Sequence, residues 1–144
     1  MKTIVIALGG NAILKKGERP IIDIQIANIK KAIERLFPLI KNNKVVITHG
    51  NGPQVGYLLM QQNAPLDVLD AETEGQIGYL IQQEIYNLFR AHKIKRGIAT
   101  VLTQVLVDKK DKIFKNPTKF VGPFYSRDEA EKLKNKFIIK EDIG

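Results

Sequence analysis

The chain has 144 residues, 44% of them hydrophobic and 26% charged, the proportions of one compact domain with its own core, which excludes an intrinsically disordered chain. It has no cysteine and only 2 histidines, so disulfide scaffolds, zinc knuckles and thiol nucleophiles are excluded, and no metal site is expected. Lys and Arg number 23 against 15 Asp and Glu, and the resulting +8 can steer small anions toward the surface. The lysines are scattered and no stacking aromatics are interleaved with them, so a nucleic-acid footprint is the weaker reading and a solvated basic surface the simpler one.

In chain order, residues 3–8 (Thr-Ile-Val-Ile-Ala-Leu) form a short apolar run that ends in Gly9-Gly10, the pattern of a parallel strand buried on both faces. Ile22, Ile26, Ile29, Ile33, Leu36, Phe37 and Ile40 then recur at spacings of three and four, which predicts an amphipathic crossover helix. Residues 44–48 read as a second buried strand, followed by His49-Gly50-Asn51-Gly52-Pro53 and a helix whose first turn accommodates Pro53. A longer helix carries Ile77, Leu80, Ile81, Ile85, Leu88 and Phe89 on one stripe. Asp70, Glu72 and Glu74 lie toward its start, where the helix dipole accounts for them without acid–base work.

Residues 98–102 (Ile-Ala-Thr-Val-Leu) read as a third strand, so alternating strands and helices predict successive βαβ units on a mainly parallel sheet. Beyond Asp108 the texture changes to lysine-rich turns, Pro117 and Gly122-Pro123, then a short helix with Ser126 and Glu129 spaced as a capping box. Residues 137–140 read as one more strand. No apolar run reaches the ~18–20 residues that span a bilayer, and the first residues are too short for a signal peptide, so a cytoplasmic protein without a membrane partner is expected.

The candidate chemistry lies in the two glycine-asparagine loops, Gly9-Gly10-Asn11 and Gly50-Asn51-Gly52. In a parallel sheet the loops after strands gather at the strands' carboxyl ends, where helix N-termini present free N–H groups to anions. Glycine lets the backbone approach a ligand closely, and the amides of Asn11 and Asn51 can donate to phosphate or carboxylate oxygens. Plain turn chemistry is the competing explanation for either loop alone. Neither loop has the Walker A or Gly-x-Gly-x-x-Gly spacing, so classical P-loop and dinucleotide sites are disfavoured.

Ala7-Leu8-Gly9-Gly10-Asn11-Ala12 and His49-Gly50-Asn51-Gly52-Pro53-Gln54-Val55-Gly56 resemble the signature loops of the carbamate kinase family. Residues 72–79, 102–105 and 117–125 are similar to successive blocks of that family in the same order, so the resemblance spans nearly the whole chain. It implies an amino acid kinase-like α/β fold, a three-layer α/β/α sandwich with a mainly parallel sheet. Residues 1–112 would form the amino-terminal lobe that binds carbamate or carbamoyl phosphate, and 113–144 part of a protruding subdomain, with the ATP-binding lobe absent from this chain.

By the same resemblance, Gly9, Gly10, Asn11, Gly50, Asn51 and Gly52 hold the substrate, and Lys119 reaches over it as the catalytic residue; the competing explanation for Lys119 is one more solvated lysine. The reaction implied is reversible phosphoryl transfer between carbamoyl phosphate plus ADP and carbamate plus ATP, with Mg2+ on the nucleotide, in arginine metabolism. A homodimer through the amino-terminal lobe is implied, and no nucleic acid partner. His49 is left out of catalysis, because transfer to an already anionic carbamate needs no base. Half of the kinase alone is expected to be inactive. The alternative is a non-catalytic anion-binding or dimerisation module, a half-kinase that pairs with a separate ATP lobe.

Overall fold

The computed structural model describes residues 1–144 except 16, 120, 122–124, 137, 138 and 140–144, and excludes the side chain of Asn11. Strand β1 (Thr3–Leu8) runs into a single helical turn, α1 (Gly10–Ile13), and a loop leads to α2 (Ile22–Asn42). Strand β2 (Lys44–His49), α3 (Gly52–Gln61) and the long α4 (Leu66–Ala91) follow. A 3-10 turn at Lys112–Lys115 and α5 (Arg127–Leu133) complete the regular elements among the described residues. All but Ile139 of the strand expected at 137–140 lies outside the described residues.

β1 and β2 pair in parallel, Thr3 against Lys44 through Leu8 against His49, with α2 as the crossover. The core forms where Ile29, Ile33, Phe37 and Ile40 of α2 meet Ile77, Leu80, Ile81, Ile85 and Phe89 of α4 beneath Leu8 and Ile13. The Phe37 and Phe89 rings lie 6.4 Å apart at a tilt of 52°, within the range for attractive aromatic pairs. The periodic apolar residues of both helices thus bury the stripe that their spacing predicts. Pro38 sits inside α2, and the helix ends with Asn42 Nδ2 donating to the Pro38 carbonyl and Asn43 Nδ2 to that of Leu39. The capping box of α5 forms as expected, with Ser126 and Glu129 bonding reciprocally.

Two expectations need correction. The strands are not buried on both faces: Ile4, Ile6, Leu8, Val45, Ile47 and His49 face the helices, whereas Val5 is 67% and Val46 52% exposed. Continuous apolar sequence cannot reveal which elements cover a face, and among the described residues the core forms on one face of the sheet. Nor do residues 98–102 form a strand, because the described sheet contains β1 and β2 alone. Instead this segment is fixed to α4. Thr100 Oγ1 donates to Gln82 Oε1 at 2.8 Å, and Glu74 accepts from Thr103 N at 3.2 Å and Thr103 Oγ1 at 2.8 Å. The local sequence has strand propensity, but a strand needs a neighbour to pair with.

Glu74 therefore acts through these bonds rather than through the dipole. Helix α4 begins at Leu66, eight positions upstream, and only Asp67 lies in its first turn. The dipole effect fades within that turn.

Candidate functional site

The ladder between β1 and β2 extends by one bond, with Gly50 N donating to the Leu8 carbonyl at 3.2 Å. Both glycine loops therefore leave neighbouring parallel strands side by side at the carboxyl edge. They also come close, for a β-carbon added to Gly10 would lie 4.0 Å from Pro53 Cδ.

The first loop is shorter than expected, because Gly9 is already the N-cap of α1 and Gly10 and Asn11 are helical. Ala12 N donates to the Gly9 carbonyl at 2.9 Å and Leu14 N to the Gly10 carbonyl at 2.8 Å, which closes the turn. In the second loop Asn51 is the N-cap of α3, with Pro53 in the first turn as the sequence predicts. Val55 N bonds the Asn51 carbonyl at 3.0 Å, while first-turn N–H groups such as those of Gly52 and Gln54 have no intrahelical acceptor. They make the positive end of α3 a donor surface for an anion.

Turn chemistry does not explain the glycines. Gly17 alone among the described glycines has a positive φ, and Gly9 sits at φ −68°, which any residue adopts. A β-carbon on Gly9, Gly50 or Gly52 would meet nothing within 4 Å among the described residues. Neither backbone strain nor packing among the described residues demands glycine there. What glycine leaves is open space directly over the backbone donors.

The Asn51 amide has a different task from the one its residue type suggests. Its Nδ2 donates to Asp70 Oδ1 at 2.6 Å, to the Asp70 carbonyl at 3.3 Å and to Thr73 Oγ1 at 2.9 Å. Thr73 is fully buried in α4, so the amide braces the second loop against that helix. Gln54 Nε2 donates to Gln25 Oε1 at 3.1 Å, and Gln25 Nε2 to the Pro20 carbonyl at 3.3 Å, which joins α3 to the start of α2. Gln54 Oε1 and His49 Nδ1 are buried without a hydrogen-bond partner among the described residues, two unsatisfied polar atoms flanking the second loop. Such groups typically cost about 1–3 kcal/mol each.

The first loop is braced too. Glu18 Oε2 accepts from Lys15 N at 2.8 Å and from Asn28 Nδ2 at 2.7 Å, and Asn28 Nδ2 also donates to the Ile13 carbonyl at 3.2 Å. The Lys15 backbone bond, helped by Asn28 and the Lys15 ammonium, holds the Glu18 carboxyl below the usual glutamate range. Gln25, Glu18 and Asn28 are supports that sequence reasoning missed, and Gln54, Asp70 and Thr73, though singled out in the sequence, were not expected to act as supports, because partners such as Asn51 and Thr73 are 22 residues apart and meet only in the fold.

The structure thus sets the Gly9-Gly10-Asn11 and Gly50-Asn51-Gly52 segments side by side at the carboxyl ends of β1 and β2. Lys119 is exposed, and among the described residues no hydrogen bond or ion pair joins it to the loops. Among the described residues no three His, Asp or Glu side chains converge to hold a cation. The backbone N–H groups at the start of α3 are donors of the kind that suit an anion.

Residues 2–131 match the family model described as the amino acid kinase family. The carbamate kinase of Thermococcus kodakarensis is 43% identical over 158 residues, an alignment covering 100% of this chain and 50% of that protein. The carbamate kinase of Haemophilus influenzae is 51% identical over 137 residues, covering 90% of this chain and 43% of the relative. Among solved structures, carbamate kinase from Giardia lamblia bound to citric acid superposes with a TM-score of 0.89 at 42% identity, over 95% of this chain and 47% of that one. The same enzyme bound to AMP-PNP gives 0.79, also at 42% identity, over 99% and 49%. The chain spans about half the length of the curated relatives it matches.

Proposed function

Because this chain belongs to the amino acid kinase family, we propose that it supplies the acceptor half of a carbamate kinase site. Carbamate, or the phosphoryl group of carbamoyl phosphate, sits in the crevice between Gly9-Gly10-Asn11 and Gly50-Asn51-Gly52. The observation that carries this reading is the room left above Gly9, Gly50 and Gly52, at backbone positions with no conformational need for glycine. The similarity to carbamate kinases supplies the substrate class.

The reaction is phosphoryl transfer from ATP to carbamate, or its reverse from carbamoyl phosphate to ADP. Charge in such a transfer spreads over the phosphoryl oxygens, so positioned donors do most of the work. In this chain those donors are the first-turn N–H groups at Gly10, Asn11 and Gly52, aided by the dipole of α3. Asn51 acts as a brace, holding the second loop on Asp70 and Thr73. Lys119 is the cation we assign to the transferred group, from a segment 113–144 that begins the protruding subdomain after the 1–112 lobe. Magnesium would arrive on the nucleotide's phosphates, where it would offset their charge. ATP or ADP is held by a half that this chain does not cover.

A second reading is a non-catalytic module that keeps the anion site and pairs with a separate nucleotide lobe, supported by the loop donors, which lie within this chain. Self-association through the lobe is supported by exposed Tyr57, Met60, Tyr79 and Tyr86 on α3 and α4. We place the protein in the cytoplasm, in keeping with described helices none of which is long and apolar enough to cross a membrane.

Calorimetric titration of the chain with carbamoyl phosphate tests the site, alongside Gly9→Ala and Gly50→Ala. The added methyls meet nothing among the described residues, so thermal unfolding should be unchanged while affinity falls at least about tenfold, roughly 1.4 kcal/mol. Binding that is absent in the parent, or indifferent to both methyls, sinks the assignment. ATP formation from carbamoyl phosphate and ADP separates the two readings: turnover once a nucleotide-binding half is added favours the kinase, and none at all the binding module.

A further inference from the structure

Asn51-Gly52 is the single asparagine–glycine pair in the sequence, and it stands where α3 begins, with Asn51 as the N-cap. Such a pair is chemically labile, because the next backbone nitrogen can attack the side-chain carbonyl and glycine puts no β-carbon in its path. Gly52 N lies in the first turn, where it has no intrahelical acceptor. A β-carbon at Gly52 would meet nothing within 4 Å among the described residues, so the nitrogen is open to solvent base. The positive end of α3 also favours the nitrogen anion that attacks.

In that step Gly52 N gives its proton to solvent base and bonds to Asn51 Cγ. The Cγ–Nδ2 bond breaks, and Nδ2 takes a proton from water and leaves as ammonia. Water then opens the five-membered imide at one carbonyl or the other, which yields aspartate or isoaspartate at position 51. Water is the co-reactant, and nothing is oxidised or reduced.

The fold restrains this chemistry. Nδ2, the leaving nitrogen, is tied to Asp70 Oδ1 at 2.6 Å, to the Asp70 carbonyl at 3.3 Å and to Thr73 Oγ1 at 2.9 Å. At ψ 9° Gly52 N lies beside the Asn51 backbone nitrogen rather than beside Cβ. Ring closure therefore needs a rotation about the Cα–C bond, which breaks the 3.0 Å bond from Val55 N to the Asn51 carbonyl. The Asp70 carboxylate further opposes an anionic intermediate next to it.

We propose that Asn51 is a deamidation site, held closed by Asp70 and Thr73, and that its conversion to aspartate or isoaspartate switches off the anion site of the second loop. In the product an anionic oxygen replaces the donor that now lies 2.6 Å from Asp70 Oδ1, so attraction turns into like-charge repulsion. Thr73 does not compensate, because its hydroxyl already donates to the carbonyls of Leu69 and Asp70, each at 3.0 Å. Isoaspartate also adds a backbone carbon at the N-cap, which shifts the first-turn N–H groups of α3. The loss of binding rests on reading those groups as the anion site; the deamidation does not.

The test incubates the full chain at mildly alkaline pH and follows ammonia release, with peptide mapping for aspartate and isoaspartate at position 51. Conversion should be slow in the parent and at least about tenfold faster in Asp70→Ala, which loses a bond to a charged acceptor. Thr73→Val, which keeps the shape of the side chain and removes Oγ1, should also be faster, and it stands as the second clamp variant if Asp70→Ala fails to fold. Adding Gly52→Ala to either variant should suppress the product, since the methyl shields the nitrogen while any loosening of the fold remains. Equal rates in the parent and in folded clamp variants overturn the restraint, and undiminished conversion with Gly52→Ala overturns the chemistry. Asn51→Asp, made directly, should bind carbamoyl phosphate at least about tenfold more weakly than the parent in calorimetry. Unchanged affinity in Asn51→Asp overturns the switch. No binding in the parent removes the acceptor-site reading and leaves the modification site standing on its conversion rates.

Discussion

Asn51 Nδ2 donates to the Asp70 carboxylate at 2.6 Å, so the second glycine loop is tied to α4 before any ligand arrives. The bond converts a flexible Gly-Asn-Gly sequence into a fixed donor surface, and it explains why an asparagine stands between two glycines.

The first prediction concerns that brace. Asn51→Ala should lower stability by about 1–2 kcal/mol in urea unfolding, since a bond to a carboxylate and one to buried Thr73 are lost. Asp70→Ala should cost less, and the double variant should show a coupling of about 1 kcal/mol. Additive effects would mean that the contact contributes nothing.

Gly78→Ala tests the fit between α4 and the 97–103 segment. The new methyl would come 2.3 Å from Thr100 Cγ2, an overlap that forces the segment off the helix. A loss of about 1–3 kcal/mol is expected in thermal unfolding, as for other overpacked sites. Thr100→Ser removes the offending methyl and keeps the hydroxyl that bonds Gln82, so it should restore much of the loss.

Arg96 closes the carboxyl end of α2, donating to the carbonyls of Ile40, Lys41 and Asn43 while its plane lies over Phe89. A cation at that end also meets the negative pole of the helix. Arg96→Lys keeps the charge but not the planar fork and should cost about 1.5–3 kcal/mol in chemical denaturation. Retention of full stability in Arg96→Lys would show that charge alone suffices.

The pH dependence follows from Glu18 and Glu129. Bonds from Lys15 N and Asn28 hold the Glu18 carboxyl low, and those from the Ser126 side chain and backbone do the same for Glu129. Each binds protons less readily folded than unfolded, so its contribution is present above the ordinary glutamate value of ~4.3 and is lost as the pH falls through that value to the depressed one. Unfolding midpoints measured from pH 6 downward should fall less steeply in Glu18→Gln than in the parent. Parallel profiles would remove Glu18 from the account.

The sequence by itself determined the parts whose signal is local. The apolar spacing from Ile22 to Ile40 and from Ile77 to Phe89 dictates two amphipathic helices, and both bury that stripe. Pro53 in a first turn and Ser126 three residues before Glu129 are legible for the same reason, since each contact spans a single helical turn. The two glycine loops were legible as a pair because parallel strands place their exits on one edge.

Only the tertiary structure decided what covers each strand and where each side chain is used. Apolar runs in β1 and β2 look alike whether one face or two are covered, yet Val5 and Val46 are exposed because the described core lies on the opposite side. Residues 98–102 have strand propensity but no neighbour, and α4 holds them through Thr100 and Thr103. Asn51 looked like a ligand donor and became a brace because Asp70 and Thr73, 19 and 22 residues away, reach it first. Pairing partners and hydrogen-bond acceptors at such separations are chosen by packing, which no local pattern encodes.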